Sequence, residues 1–298
     1  MPILFALVGA TGIGKSKLSI SLAEHYRAEI IGVDSRQIYR GFAIGTAQPS
    51  ELDRTCVKHH LVDFLNPEDV YSAGDFCRDV LCLLRENPYK NFILVGGTGL
   101  YLQSLMLGLP KIPKVDEEVR KNLERIADEK GACSLYDSAC RIDPEAMENV
   151  NANNLQRIIR VLEVYEFTGR KLSDWQRERD GGIGKIPVFW LDCNRECLYS
   201  RINERVDEMI AGGWIDECVS LSKSVPLSAP AWQSLGYREL LSARSHCEIE
   251  SVLEYVKQKT RNYAKRQLTW FRTQMETCRV DMNYEKEPYE FICKRIVI

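Results

Sequence analysis

The chain opens with an unbroken apolar run, residues 3–8 (ILFALV), that stops at a glycine-rich stretch, Gly9 to Gly14. Leu18, Leu22 and Ala23 then recur at helical spacing. A short continuous apolar run closed by glycines is the pattern of a strand buried on both faces, and the spacing behind it predicts a helix. The same kind of run returns at Glu29 to Ser35 (EIIGVDS), at Phe92 to Val95 ahead of Gly96-Gly97-Thr98-Gly99, and at Pro187 to Leu191. Buried strands alternating with helices predict a parallel sheet covered on both faces.

Between about 112 and 184 the pattern changes. Pro110 and Pro113 punctuate the chain, and a strongly charged helical stretch follows at Asp116 to Lys130. A second helix, about Asn154 to Thr168, carries Leu155, Ile158, Ile159, Leu162 and Tyr165 on one side, and the polar segment Arg177 to Gly184 closes the region. The expectation is an α/β core of residues 1–111 and 185–298, interrupted by an all-helical insertion at 112–184 that acts as a lid.

Composition narrows the setting. The 298 residues suffice for one core with an insertion. With 45% hydrophobic and 28% charged residues, a soluble globular protein is expected. No apolar stretch approaches the roughly 18 residues of a membrane span. The start has neither a basic n-region nor a cleavage site, so a cytoplasmic protein is expected. The 11 cysteines include no C-x-x-C pair, and His25, His59, His60 and His246 are out of zinc-finger spacing. This argues against a zinc site and a disulfide framework, and for free thiols in a reducing compartment. His59 and His60 read as structural. A net charge of −2 gives no general support to a nucleic-acid partner, but it permits a local basic face.

The most specific chemistry is G-A-T-G-I-G-K-S: Gly9, Ala10, Thr11, Gly12, Ile13, Gly14, Lys15 and Ser16. It matches G-x-x-x-x-G-K-[ST] between a strand and a helix. Backbone N–H groups in such a loop cradle phosphate oxygens, helped by the helix N-terminus. Lys15 adds a point charge, and the Ser16 hydroxyl is a ligand for Mg²⁺. An NTP-driven motor normally adds an acid at the end of a later strand. Here that strand ends Val95-Gly96-Gly97, and the base-reading N-K-x-D is missing as well.

Four weaker features accompany it. Asp34, at a strand end facing the ligand crevice of an open sheet, suits metal binding or proton acceptance, and equally suits a cap. The Gly96–Gly99 turn allows close substrate approach, with Thr98 offering a hydroxyl, or is a tight turn only. Arg201, Arg205 and Met209 share a helix face, and two guanidiniums there suit a diphosphate. Tyr255 to Met275 holds Lys257, Lys259, Arg261, Lys265, Arg266 and Arg272 without an acid, interleaved with Tyr263, Trp270 and Phe271. That is either a nucleic-acid footprint or a core-packed helix with a solvated basic face. Gln156, Arg157 and Arg160 alone would read as a solvated face.

Together these pieces resemble the tRNA dimethylallyltransferase (tRNA isopentenyltransferase) family over nearly the whole chain. The resemblance runs through the glycine loop, D-S-R-Q-I-Y-R-G (34–41), I-G-T-A (44–47), V-G-G-T-G-L-Y (95–101) and N-N-L-Q-R-I-I-R-V-L-E (153–163). It continues through R-I-N-E-R-V-D-E-M (201–209), L-G-Y-R-E (235–239) and T-R-N-Y-A-K-R-Q-L-T-W-F-R (260–272). It implies a P-loop NTPase-like core and transfer of a dimethylallyl group from its diphosphate to N6 of the adenosine 3′-adjacent to the anticodon. It implies Asp34 as base, with Lys15 and Thr98 also catalytic, and diphosphate held by the glycine loop and Arg205 with Mg²⁺. The implied contacts to the tRNA anticodon stem-loop are Asp34, Ser35, Arg36, Gln37, Thr98, Arg120, Gln156, Arg157, Ile158, Ile159, Arg160, Gln233, Gly236, Tyr237 and Arg238. A bacterial-type member is expected, since no zinc finger follows the basic segment, and a monomer is expected as well. Ala10, Gln48 and Gln233 depart from residues the family often has, and the last bears on the RNA contact at 233. The competing readings are a P-loop small-molecule kinase, an adenylate isopentenyltransferase acting on a free nucleotide, and a nucleotide-switched RNA-binding module.

Overall fold

The computed structural model describes residues 2–243, 246–283 and 287–296. The strands are β1 (Leu4–Gly9), β2 (Ala28–Val33), β3 (His59–His60), β4 (Asn91–Gly96), β5 (Leu109–Pro110), β6 (Arg179–Asp180), β7 (Val188–Asp192) and β8 (Cys278–Asp281). The helices are α1 (Lys15–Tyr26), α2 (Glu51–Cys56), α3 (Ala73–Glu86), α4 (Gly99–Leu107), α5 (Glu117–Lys130), α6 (Ala132–Ile142) and α7 (Pro144–Met147). They continue with α8 (Leu155–Thr168), α9 (Leu172–Arg177), α10 (Arg195–Ala211), α11 (Trp214–Ser222), α12 (Tyr237–Ser242), α13 (His246–Gln274) and α14 (Pro288–Cys293). Among the described residues no helix is long and apolar enough to cross a membrane, and no disulfide joins the described cysteines.

The chain divides into two compact units, 1–104 with 185–298, and 105–184. In the first, six strands form one sheet in the order β3-β2-β4-β1-β7-β8, and every pairing is parallel. All four apolar runs of the sequence are strands of this sheet. Their ends align: Val8 of β1 and Val33 of β2 both pair with Gly96 of β4. The glycine loop, the Asp34 turn and the Gly97–Thr98 turn therefore leave the sheet at one edge, where open parallel sheets bind ligands.

Two strands escaped the periodicity. β3 is only two residues, the His59-His60 pair, which pairs with Ile30 and Ile31. The His60 ring bonds Glu29 at 2.6 Å, so that pair is structural. β8 adds the sheet edge beside β7. Its CRVD sequence is too short and polar to register as an apolar run.

The second unit has its own core of Leu123, Leu135, Ile158, Ile159 and Leu162 from α5, α6 and α8. Asp116 and Asn154 cap α5 and α8 with their side chains, which is why these helices begin where the charged and apolar patterns do. The unit opens at Leu105 rather than at 112, and it is not all-helical. Leu109–Pro110 pairs antiparallel with Arg179–Asp180, a clasp of backbone bonds that brings the preceding chain into the unit.

Candidate active site

The glycine loop joins β1 to α1 with Gly14 at the N-cap in a left-handed conformation (φ 101°), where a side chain would be strained. Ala10 and Ile13 point into the sheet core and are fully buried. Thr11, Gly12, Gly14, Lys15 and Ser16 instead line a cavity of about 430 Å³. So of the eight motif residues, Ala10 and Ile13 anchor the loop through their side chains and can offer a ligand only backbone.

Lys15 Nζ donates to the carbonyls of Gly9 (2.9 Å) and Ala10 (2.8 Å). Burial, then the neighbouring Arg205 charge, lowers its pKa to about 7, with Asp34 opposing. From α10, Arg205 reaches the Thr11 hydroxyl at 3.4 Å and Arg201 reaches the Ile13 carbonyl at 3.5 Å. Burial also pushes the Arg205 guanidinium down, against Asp34 and Glu208. Two guanidiniums and a lysine thus gather at the glycine loop, and the carboxylates of Asp34 and Glu208 line the same cavity.

Asp34 lies just past β2 and lines the same cavity. Its Oδ1 accepts from the backbone N–H of Arg36 (2.8 Å) and Gln37 (3.3 Å). One oxygen therefore shapes the turn, as the capping reading expects, while the residue also lines the cavity. Arg36 donates to the Pro230 carbonyl at 3.2 Å and to Gln233 at 3.5 Å. Gln37 donates to the carbonyls of Thr46 and Ala47. Gln48 in turn ties the carbonyls of Gln37 and Tyr39, so that departure is a brace of the turn. Thr98 is not among the lining residues. Its hydroxyl accepts the N–H of Ser35 at 3.1 Å, holding the Asp34 turn against the end of β4.

The remaining expected contacts separate. Gln233 and Arg238 are exposed, and Arg238 donates to the Leu227 carbonyl. Tyr237 is fully buried, its hydroxyl donating to Glu217 at 2.6 Å and accepting from the Gly45 N–H. Gly236 lies under Trp214, which leaves no room for a β-carbon. Both residues are buried and pack behind the cavity lining. In the second unit Gln156 and Arg157 are exposed, but Ile158 and Ile159 are core residues whose side chains have no access to a partner. Arg120 and Arg160 both pair with the buried Glu163, at 3.4 and 2.7 Å.

The basic helix serves two purposes at once. Tyr263, Thr260 and Gln267 line the cavity, and Trp270 packs on Gly99. Burial and then Asp34 push the Tyr263 phenol upward. Lys257 pairs with Asp207, while Lys259, Lys265, Arg266 and Arg272 stay exposed. Nothing in the sequence pattern marks Tyr263, Gln267, Trp214 and Glu217 as site residues. The first two fall four apart on α13, the only signal of a shared inward face.

A parallel sheet with a glycine phosphate loop after its central strand β1, and a carboxylate past the end of β2 on the far side of β4, defines a P-loop-type α/β protein. The IPP transferase family model matches residues 37–274, and the chain belongs to that family. It is 40% identical to the tRNA dimethylallyltransferase of Fusobacterium nucleatum, over 91% of this chain and 88% of that one. It is 39% identical to that of Geobacillus thermodenitrificans, over 98% and 93%. The solved full-length tRNA isopentenylpyrophosphate transferase of Bacillus halodurans superposes with a TM-score of 0.70 at 34% identity, covering 99% and 97%. A eukaryotic dimethylallyltransferase solved acting on tRNA shares the fold with a TM-score of 0.79 at 24% identity, over 98% and 78%.

Proposed function

We propose that this protein transfers the dimethylallyl group of dimethylallyl diphosphate to N6 of the adenosine 3′-adjacent to the anticodon of tRNA. The observation that carries the reading is one cavity in which Lys15, Arg201, Arg205 and the glycine loop face Asp34. The cationic side suits a leaving diphosphate, and the carboxylate suits an amine that must lose a proton.

An exocyclic adenine amine is a weak nucleophile, because its lone pair is delocalised into the ring. The reaction therefore leans on the leaving group. Lys15, Arg205 and the loop N–H groups meet the charge that develops as the C–O bond to diphosphate breaks. A single preorganised donor of this kind is worth about 3–4 kcal/mol of barrier. As N6 bonds to the allylic carbon, Asp34 accepts the N6 proton. Thr98 and Arg36 hold the turn that carries it.

Ser16 offers one exposed hydroxyl oxygen in the cavity, and among the described residues no cluster of His, Cys, Asp or Glu could hold a metal by itself. That donor set fits Mg²⁺ arriving with the diphosphate, which keeps waters and few protein ligands. When bound it would neutralise charge on the leaving group.

An unpaired loop base costs less to flip into such a cavity than a duplex base, which favours the anticodon loop as substrate. The exposed cations of α13, with Gln233, Arg238, Gln156 and Arg157, are the surfaces we assign to the tRNA. A cytoplasmic monomer completes the reading.

The test is to incubate the protein with dimethylallyl diphosphate, Mg²⁺ and unmodified tRNA and to analyse the digested nucleosides by mass spectrometry. One dimethylallyl group on adenosine is expected. Phosphoryl transfer from ATP to a small acceptor with release of ADP, and no prenylated adenosine, would overturn the reading in favour of a kinase. Prenylation of free AMP but not of tRNA would assign the free-nucleotide activity instead.

A further inference from the structure

We propose that Gln267 is a positioning residue that fixes the diphosphate cradle relative to the base-bearing turn. The inference deepens the transferase reading and rests on it. Gln267 sits on α13, far along the chain from both loops, yet its side chain bonds each of them. Its Oε1 accepts the Thr11 N–H of the glycine loop at 3.0 Å, and its Nε2 donates to the Gly97 carbonyl at 3.0 Å. The orientation is forced: Thr11 offers only a donor there and Gly97 only an acceptor, so an amide satisfies both in one sense alone.

The side chain is buried, 6% exposed, and lines the cavity. Gly97 is shaped to it, since a β-carbon there would fall 2.1 Å from Nε2. The next residue, Thr98, accepts the Ser35 N–H at 3.1 Å, and Ser35 follows Asp34. A continuous path of bonded groups therefore runs from Thr11 through Gln267, Gly97 and Thr98 to the Asp34 turn. The leaving diphosphate is held at one end and the attacking amine at the other. Gln267 does not meet the reacting atoms in this scheme; it sets their separation. A displacement on the order of 1 Å between such groups costs about 100-fold in rate.

Gln267→Met in the full-length chain keeps side-chain length and removes both bonds. With both substrates saturating, its single-turnover transfer should fall about 10–100-fold while tRNA affinity stays unchanged. A defect in folding alone would not separate these two readouts. Gly97→Ala pushes the amide away from the other side, and it serves as the second variant if Gln267→Met folds poorly. The double variant should lose less than the product of the two single losses, as expected of residues acting through one contact. Transfer by Gln267→Met at the native rate, or losses that simply multiply, would overturn the proposal. If the unaltered protein transfers no dimethylallyl group, the transferase reading fails by itself. Calorimetry with inorganic diphosphate then decides the cradle: several-fold weaker binding by Gln267→Met supports the link, and equal binding sinks it.

Discussion

The indole nitrogen of Trp214 lies so close to Gly45 that a β-carbon on that glycine would sit 2.1 Å from it. Both residues line the cavity. The backbone around Gly45 has nowhere to retreat. Glu217 accepts the N–H groups of Ala43 and Ile44 (3.1 and 2.9 Å) and the Tyr237 hydroxyl. The glycine of I-G-T-A is therefore required by an indole from α11.

Gly45→Ala should consequently destabilise the protein by about 1–3 kcal/mol, the usual range for overpacking a filled site. Urea denaturation of the pure variant measures this. An unchanged midpoint would show that Trp214 yields freely and does not set the wall.

Asp34→Asn separates the two duties of that side chain. Asparagine retains an Oδ1 to accept from Arg36 and Gln37, so the turn should persist. It cannot take the N6 proton, and single-turnover transfer should fall about 100–10,000-fold with binding of both substrates intact. Rapid-quench assays at saturating substrate read the step directly; full activity would remove Asp34 from the mechanism.

Lys15 predicts a pH dependence. An unfolded lysine titrates near 10.5, whereas burial and Arg205 bring the folded value to about 7. Between those limits the unfolded state holds the extra proton, so rising pH stabilises the native state. Below about 7 both states are protonated and the burial penalty is fully felt. Lys15→Met should flatten the rise in stability across that window, measured by denaturation at several pH values. Diphosphate should also restore the Lys15 charge, so its binding within the window should take up a proton. Calorimetry in buffers of different ionisation enthalpy detects this, and the uptake should vanish in Lys15→Met.

The cations of α13 should divide into two groups. Lys257 is engaged by Asp207 at 2.8 Å and Glu254 at 3.1 Å, whereas Lys265 and Arg266 are exposed. Replacing Lys265 or Arg266 by Ala should reduce the slope of log affinity for tRNA against log salt by about 1 each. Lys257→Ala should leave that slope alone and lower stability instead. Filter binding over a salt series distinguishes them.

Much of this protein can be read from its sequence because the decisive features are local. The run at 3–8, the glycine loop behind it and the helix after that form one strand-turn-helix unit whose period and glycines declare it. Asp34 and Thr98 are visible for the same reason, standing where buried runs end. The caps Asp116 and Asn154 mark the helices of the second unit.

What local pattern could not supply is which distant residues meet. Ile158 and Ile159 belong to a motif the resemblance assigns to tRNA contact, yet they pack into a core, because a motif does not say which of its faces turns inward. Tyr237 likewise serves Glu217 and Gly45. The clasp of Leu109–Pro110 with Arg179–Asp180, and the edge strand Cys278–Asp281, depend on partners far along the chain. Gln267 is the clearest case: a polar residue in a basic helix becomes the link between two glycine loops only once the sheet has brought the ends of β1 and β4 together. The longer sheet strands, the phosphate loop and the position of Asp34 are legible in the amino-acid order, since each is encoded within a few residues. The tertiary structure alone decided what presses on the glycines and what spans the cavity, because hydrogen bonding and close packing act across space between segments whose order in the chain carries no record of the contact.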